Sequence, residues 1–411
     1  MAQVPEVYVL GGYQTDFARN WSKEKKHFVA MMREAVLGAL AETKMEPGEI
    51  EVAHTGNFAA ELYAKQGHLG AFFCEIDPAF SGLPTSRHEA ACASGSLAIQ
   101  AASAEIEAHR YDLACVVGVE QMKTVGAGEG GDFLGTAAWY ELEAKGIEFP
   151  FPKLFGKLGD EYDKRYGLKD EHLAEISTIN YANAKLNPNA QTRTWYMNYD
   201  HAMSRDEFNG TIGGRIHISD CSQVTDGAVA VMLASPEYAK KWADRNGVSL
   251  DDIPRIKGWG HNTARIRFED KVAESANDEY VLPHVRSTIT DAMKRAGIAD
   301  VSGIDSIETH DCFTTSEYMA IDHFGLTAPG QSWKAVESGE IALGGKTPIN
   351  PSGGLIGAGH PVGATGVRQV LDSYKQVTGQ AGEYQVEGAK NVQTLNIGGS
   401  GTTSVSFVVG K

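Results

Sequence analysis

Four short segments of the sequence combine nucleophilic or basic side chains with glycines. The segment ACASGS carries Cys92, HDCF carries His310 and Cys312, and GGLIGAGHPVGATG carries His360. The fourth segment, NIGGSG, is a glycine turn. A thiol, an imidazole base and backbone N–H groups are the components of acyl transfer through a thioester. These segments therefore predict acyl-transfer chemistry if the fold brings them together.

Cys92 directly precedes a predicted helix at residues 94–108. Unpaired N–H groups and the positive end of the helix dipole favour a thiolate at this position. Gly95 and Ser96 would let a ligand or another backbone approach closely. The alternative is a contact of small residues between packed helices.

HDCF follows a predicted strand at residues 304–309. Three reactive side chains in a row, His310, Asp311 and Cys312, are uncommon packing choices at a strand end. The alternative is a capping segment in which Asp311 or Thr314 starts the next helix.

The glycines before His360 predict a flexible, tightly turning loop, and Pro361 stiffens the residue that follows the imidazole. A lone histidine is more often structural, but this setting favours a catalytic base.

NIGGSG lacks a following Lys-Ser/Thr and precedes a strand instead of a helix. It therefore disfavours a nucleotide-binding loop and suits an oxyanion.

The elements around these segments alternate between strand and helix, as in an α/β core. We predict strands at residues 6–12, 51–57, 113–119, 256–259, 304–309, 391–395 and 404–410, and helices at 27–43, 94–108, 285–296, 316–324 and 363–377. A further turn and strand lie within residues 220–235. The pattern repeats in both parts of the chain, which suggests two similar subdomains that meet at one site.

Composition excludes several classes of function. The 411 residues carry a net charge of −16 and no long basic run, which argues against nucleic acid as a partner. The sequence has no apolar run of the roughly 20 residues that a membrane span needs. Five cysteines without a CxxC pair indicate individual thiols in a reducing cytoplasm. His54, His68 and His88 look scattered, so we predict no metal site.

The ordered set of ACASGS, DCSQVTDGA, HDCF, GGLIGAGHPVGATG and NIGGSG resembles the thiolase superfamily, and HDCF is similar to its sterol-carrier-protein type. The resemblance covers the chain from its first strand to its last. It implies two βαβαβαββ halves in a five-layered α-β-α-β-α core. The implied N-terminal half spans residues 1–122 and 218–250, the inserted loop domain 123–217 and the C-terminal half 251–411.

The resemblance also implies roles for individual residues. Cys92 would be the nucleophile that accepts the acyl group, and His360 the base that activates it. Cys312 would move the proton at the α-carbon in Claisen condensation or thiolysis. His310 would help to hold the thioester oxygen of the second substrate.

The backbone N–H groups of Cys92 and Gly398 would hold the oxyanion of the acylation step. Many thiolases have an acid/base cysteine where this chain has Asn396. An amide does not exchange protons near neutral pH, so the proton chemistry must fall to Cys312.

Coenzyme A thioesters are the implied substrates, with no tightly bound cofactor. Weak candidates for contacts with the CoA phosphates are Arg193, Arg215 and Lys157.

The leading hypothesis is thus an acyl-CoA C-acyltransferase that works as a homodimer or tetramer. A second is a carbon–carbon lyase of aldolase type, in which Cys92 would be dispensable. A third is a subunit that works with an OB-fold, zinc-ribbon acyl-CoA-binding protein. The C-terminal residues do not match a peroxisomal Ser-Lys-Leu signal, so we expect a cytoplasmic protein.

Overall fold

The computed structural model describes residues 6–411, so the first five residues of the predicted N-terminal half lie outside the described residues. The strands are β1 (Val7–Gln14), β2 (Val52–Gly56), β3 (Thr85–His88), β4 (Leu113–Glu120), β5 (Thr211–Gly213), β6 (Ile216–His217), β7 (Gly227–Ala234), β8 (Arg255–Thr263), β9 (Ser306–Glu308), β10 (Asn391–Thr394), β11 (Asn396–Gly398) and β12 (Thr403–Gly410).

Helices connect these strands along the whole chain. They are α1 (Phe28–Thr43), α2 (Ala60–Tyr63), α3 (Phe73–Ile76), α4 (Ser94–Glu107), α5 (Ala127–Gly135), α6 (Pro150–Tyr166), α7 (Asp170–Ala184), α8 (Tyr199–Met203), α9 (Pro236–Asn246), α10 (Phe268–Glu274), α11 (Pro283–Arg295), α12 (Thr314–Phe324), α13 (Ser332–Glu337), α14 (Gly354–Ala358) and α15 (Thr365–Thr378). None of the helices within residues 6–411 has the length and apolar character that crossing a membrane requires.

The strands of the two halves follow the same order in opposite directions. Within residues 6–411, ten strands form one sheet in the order β3-β2-β4-β7-β1-β8-β12-β10-β9, and β11 pairs with β12. In each half the inner pairs are antiparallel and the outer pairs are parallel. The two halves meet where Val7 and Tyr8 of β1 pair with Ile256 and Arg255 of β8. The prediction of two similar halves agrees with this order, although the backbone pairing between them was not predicted.

The helices add the remaining layers of the core. Helix α1 packs on β1, β4 and β7 on one side, and α11 packs on β8 and β12 on the other. Helices α4 and α15 contact each other and lie between the two halves of the sheet. Strands β4 and β7 are buried along their whole length, which explains their continuous apolar sequences. The result is the α-β-α-β-α arrangement of layers.

Residues 123–217 contribute no strand to the large sheet. They form helices α5 to α8 and the small pair of β5 and β6. Tyr162 of α6 and Ile176 of α7 belong to a hydrophobic cluster shared with the C-terminal half. This segment therefore packs against the C-terminal half.

Two local predictions need correction. The glycine segment before His360 is not a free loop, because residues 354–358 form the buried helix α14. NIGGSG is not only a turn, because Asn396–Gly398 pairs with β12 as the short strand β11. Both corrections have the same cause, since buried backbone groups must find hydrogen-bond partners and regular structure supplies them.

Candidate active site

Cys92 stands on a tight turn between β3 and α4. Ala91 has a positive φ of 51°, which is uncommon for a residue with a side chain. The Ser94 hydroxyl donates to the Ala91 carbonyl at 2.6 Å and accepts from the Ala90 N–H at 3.0 Å. These bonds hold the turn closed, so the Cys92 sulfur is presented at the start of the helix.

His360 is held by its backbone in a crowded place. The N–H of His360 donates to the Thr225 hydroxyl at 2.9 Å. Gly359 has a φ of 110°, and a Cβ there would lie 2.8 Å from the Thr225 oxygen. A Cβ on Gly363 would lie 2.6 Å from the Cα of Asn57 in the other half. Glycine is required at position 359 by the positive φ and the Thr225 side chain, and at position 363 by the close approach of the Asn57 backbone.

The fold brings the predicted side chains to one place. The Cys92 sulfur and one ring nitrogen each of His310 and His360 lie within 4.8 Å of one another. Cys92, Cys312 and His360 line the same cavity of about 210 Å³. The rest of its lining is mostly apolar and includes Phe58 and Phe155. Residues separated by more than 200 positions in the sequence thus share one pocket.

A hydroxyl group fixes the tautomer of His360. Its Nδ1 lies 2.6 Å from Oγ1 of Thr365, which itself donates to the Pro361 carbonyl at 3.2 Å. Because the hydroxyl proton points to that carbonyl, the Thr365 oxygen accepts from an Nδ1–H of His360. The Nε2 of His360 then carries a lone pair, is buried and has no hydrogen-bond partner. A nitrogen of this kind can accept the proton of a thiol.

The neighbouring imidazole has the opposite tautomer. Nδ2 of Asn396 donates to Nδ1 of His310 at 3.1 Å, and the Ser96 hydroxyl donates to Oδ1 of Asn396 at 2.8 Å. The proton of His310 is therefore on Nε2, which is also buried without a partner. The rings of His310 and His360 meet edge to face, with centroids 5.3 Å apart. One imidazole is a hydrogen-bond donor and the other an acceptor.

Burial keeps these groups neutral in the free protein. It raises the pKa of Cys92 to about 12, against the lowering effect of the Gly399 backbone N–H. It lowers the pKa of His360 to about 3, with a further contribution from the positive charge of Arg368. The expectation that the helix start favours a Cys92 thiolate is wrong for this state, because desolvation outweighs the helix dipole. The resting pair is a thiol and a neutral imidazole.

Cys312 lies in a more enclosed position than Cys92. Its side chain is only 6% exposed, and its sulfur lies 3.9 Å from Oγ of Ser316. Burial raises the pKa of Cys312 well above the ordinary value for a thiol, and the nearby sulfur of Cys92 adds to the effect. The Cys312 carbonyl accepts from the N–H of Ser222, in the segment that follows the inserted domain. The resting Cys312 is therefore a proton donor.

The glycine turn after β11 contacts the nucleophile directly. The backbone N–H of Gly399 lies close enough to the Cys92 sulfur to lower the pKa of that thiol, and Gly399 lines the cavity. Gly398, whose N–H was predicted to hold the oxyanion, is the preceding residue and the last one of β11. The buried ammonium of Lys271 donates to Ser400 and Thr402 at 3.0 Å each and holds this turn in place.

Buried carboxylates support both catalytic segments. Asp311 accepts from the N–H groups of Leu355 and Ile356 at 2.6 and 3.1 Å, so it caps α14 and not the helix that follows HDCF. Glu120 accepts from the N–H groups of Phe58 and Gly363 at 2.9 and 3.0 Å. Each carboxylate therefore fastens the His360 segment to another part of the site.

The predicted basic contacts for CoA are already paired with carboxylates. Arg193 binds Asp16 at 2.8 Å, and Arg215 and Lys157 bind acidic side chains at 2.7 and 2.9 Å. The prediction that His54, His68 and His88 are scattered is wrong for two of them. Nδ1 of His54 lies 2.9 Å from Nε2 of His88, because their strands β2 and β3 are neighbours in the sheet.

Several supporting residues were not singled out from the sequence. Ser96 was predicted only to allow close approach, and not to hydrogen-bond Asn396. Thr365 and Thr225 stand inside the quoted segments GHPVGATG and DCSQVTDGA. Their position within these segments was the only available signal. Glu120 gave none, because a glutamate at the end of an apolar strand is also a common surface residue.

Two domain families match this chain. The thiolase N-terminal domain matches residues 7–194, and the thiolase C-terminal domain-like family matches residues 269–411. An acetyl-CoA acetyltransferase of Methanothermobacter thermautotrophicus is 31% identical over 404 residues, which cover 98% of this chain and 99% of the relative. This chain belongs to the thiolase family. The resemblance predicted from the sequence motifs is thereby confirmed.

Other relatives fit the same assignment. Sterol carrier protein 2 of Rattus norvegicus is 28% identical, and the match covers 98% of this thiolase and 72% of that protein. Among solved structures, the Ltp2-ChsH2(DUF35) aldolase has a TM-score of 0.79 at 19% identity, covering 99% of this chain and 98% of that one. Human mitochondrial 3-ketoacyl-CoA thiolase in complex with CoA has a TM-score of 0.71 at 17% identity, covering 100% and 99%. These likenesses confirm the thiolase fold.

Proposed function

We propose that this thiolase is an acyl-CoA C-acyltransferase that makes or cleaves a 3-ketoacyl-CoA through an acyl thioester on Cys92. The observation that carries the proposal is one cavity lined by two thiols and the His360 imidazole, with the His310 ring edge to face against His360. A carbon–carbon bond reaction of this type needs one thiol as nucleophile and a second group for the proton at carbon.

Cleavage starts from the neutral pair of Cys92 and His360. As the Cys92 sulfur attacks the 3-keto carbon, its proton moves to Nε2 of His360, and the new oxyanion accepts the N–H of Gly399. The bond between the α- and β-carbons then breaks, which leaves an acyl group on Cys92. The electron pair of that bond forms the enolate of the departing thioester.

The enolate needs a hydrogen bond and a proton. Nε2–H of His310 donates to the thioester oxygen of the enolate, and Cys312 gives its proton to the α-carbon. A free CoA thiol then gives its proton to the Cys312 thiolate and attacks the acyl group on Cys92. The acyl group leaves as a new CoA thioester, and the Cys92 sulfur takes its proton back from Nε2 of His360. Because Cys312 is protonated at rest, the free enzyme is ready for cleavage, and condensation requires this proton to leave first.

Two variants separate the steps of this mechanism. We expect Cys92→Ser to lose both acyl exchange between acetyl-CoA and labelled CoA and the CoA-dependent cleavage of acetoacetyl-CoA. We expect Cys312→Ser to keep acyl exchange and to lose cleavage by at least about 100-fold, the lower range for a general acid. Cys74→Ser, an exposed cysteine, is the matched control.

The same assay tests the alternatives. A lyase would cleave its substrate without free CoA, and Cys92→Ser would keep that activity. A subunit that depends on a partner would show neither exchange nor cleavage alone and would gain both when an acyl-CoA-binding protein is added. The presence of both thiols in the cavity favours the acyltransferase over the lyase.

We further place this enzyme in the cytoplasm, in lipid metabolism, as a homo-oligomer. All five cysteines are free, which fits a reducing compartment. Strand β3 is an edge strand of the sheet, and its side chains are half-buried. A second copy of the chain can therefore pair with this edge and continue the sheet.

A further inference from the structure

The three polar atoms that meet in the cavity have a second chemical property in common. The Cys92 sulfur and one ring nitrogen each of His310 and His360 lie within 4.8 Å of one another. His310 and His360 are 1% and 6% exposed, and Nε2 of each has no hydrogen-bond partner. Sulfur and imidazole nitrogen are the preferred ligands of Zn²⁺ and similar thiophilic divalent cations.

We propose that Cys92, His310 and His360 form a binding site for a thiophilic divalent cation of the Zn²⁺ type. Three protein ligands with a water in the fourth position give the open tetrahedral site that zinc adopts outside purely structural centres. When the metal binds, the sulfur forms the metal bond and releases its proton to solvent, while the imidazoles bind through their lone pairs.

The distances are compatible with this geometry after small movements. Ligand atoms of tetrahedral zinc are about 3.5 Å apart, given bonds of roughly 2.0–2.3 Å, so the longest edge of the triangle, within 4.8 Å, must shorten by no more than about 1.3 Å. The net charge of −16 also raises the concentration of cations near the protein.

The surrounding hydrogen bonds prepare the two imidazoles differently. His360 already has its proton on Nδ1, donated to Thr365, so its Nε2 is free to bind a metal. His310 must move its proton from Nε2 to Nδ1, which requires the Asn396 amide to turn its oxygen toward the ring. The Ser96 hydroxyl permits this turn, because it can accept from the amide as well as donate to it.

Occupation of this site removes the nucleophile and the base together. The metal site itself does not depend on the proposed function, whereas the inhibition that follows rests on it. Metal binding is therefore measured by spectroscopy and alkylation, which do not require enzyme activity. Failure of the metal site and failure of the proposed acyltransferase function can thus be distinguished.

Cobalt titration of the full chain tests the site. In buffer free of thiols and chelators, we expect one equivalent of Co²⁺ per chain to produce the absorption of a thiolate-to-cobalt bond. Cys92→Ser should lose this absorption, and Cys74→Ser, the matched control, should keep it. Absence of the band in the wild type, or its persistence in Cys92→Ser, would overturn the proposal.

Wild-type protein gives a second test that needs no folded variant. Saturating Zn²⁺ should slow the alkylation of Cys92 by iodoacetamide at least tenfold and leave the exposed Cys74 unaffected. Equal rates with and without Zn²⁺ would contradict metal binding at Cys92.

Asn396→Asp tests the ligand nitrogen of His310. A carboxylate at this position accepts Nδ1–H and should tighten Co²⁺ binding by about tenfold, as outer-shell carboxylates do for metal-bound histidines. Unchanged or weaker binding would overturn the assignment of His310 as a ligand.

Discussion

At the scale of residues, the site is defined by which atom carries each proton. Thr365 leaves a lone pair on Nε2 of His360, and Asn396 leaves a proton on Nε2 of His310. The motifs allowed a prediction of the reactive side chains, since cysteines and histidines beside glycines are visible in a sequence. They did not predict the protonation states, because these depend on burial and on hydrogen bonds between distant segments.

The low pKa of His360 predicts the pH dependence of acylation. A base must be neutral, and an imidazole whose pKa is lowered from 6.5 to about 3 stays neutral across the mildly acidic range. We therefore expect kcat/KM to lose no activity to His360 protonation between pH 8 and about pH 5, where an ordinary histidine would already be charged. Stopped-flow measurement of acyl transfer, with circular dichroism as a control for folding, checks this.

The titration of Glu120 must be distinguished from that of His360 in the same pH profile. Burial raises the pKa of Glu120 to about 7, so an inflection near neutral pH that disappears in Glu120→Gln belongs to that carboxyl. An inflection near pH 6.5 that disappears only in His360→Asn would contradict the prediction.

Thr365 is a positioning residue for the base. We expect Thr365→Val to lower kcat by roughly 10- to 100-fold with little change in KM, because the base loses its tautomer control but the cavity keeps its shape. Thr365→Ser keeps the hydroxyl and should restore most of the rate. If valine and serine variants had the same kcat, the hydroxyl would have no role in catalysis.

At the scale of elements, the turns that follow β3, β9 and β11 and the short helix α14 bring the reactive atoms to the cavity. The predicted helix starts after Cys92 and HDCF agree with α4 and α12 within two residues, because apolar periodicity marks them clearly. The glycine segment before His360 was harder to predict. Its helix α14 is stabilised by Asp311, a contact that the sequence does not reveal.

Asp311→Asn tests this link between the two segments. An amide cannot accept both N–H bonds of α14 as well as a carboxylate does, so we expect a loss of about 1–3 kcal/mol of stability. Acylation of Cys92 should slow at least tenfold, since His360 follows two residues after α14. Asp291→Asn, at a half-exposed aspartate of α11, is the control for both measurements. A stable variant with unchanged acylation would remove Asp311 from the positioning machinery.

At the scale of the whole molecule, the two halves form one structural unit. Helix α15 packs on strands of both halves, and its fully buried Arg368 binds Glu308 at 3.3 Å and Asp372 at 2.6 Å. The repeated pattern of strands and helices was sufficient to predict two halves. The pairing of β1 with β8 was not predictable, because it joins residues that are about 250 positions apart.

This arrangement predicts a single unfolding transition. Arg368→Ala leaves two buried carboxylates without their partner, so we expect a loss of about 3–5 kcal/mol, measured by denaturant unfolding. Scanning calorimetry should show the whole transition moving to lower temperature. Two transitions, of which only one moves, would show that the halves unfold independently.

The central claim is that Cys92 and His360, from opposite halves of the chain, act as one nucleophilic pair. Peptide mapping by mass spectrometry after a short incubation with acetyl-CoA tests it directly. The account predicts an acetyl group on Cys92 in the wild type and in Cys312→Ser, and none on that timescale in His360→Ala. An acetyl group on another cysteine, or full acetylation of Cys92 in His360→Ala, would contradict it.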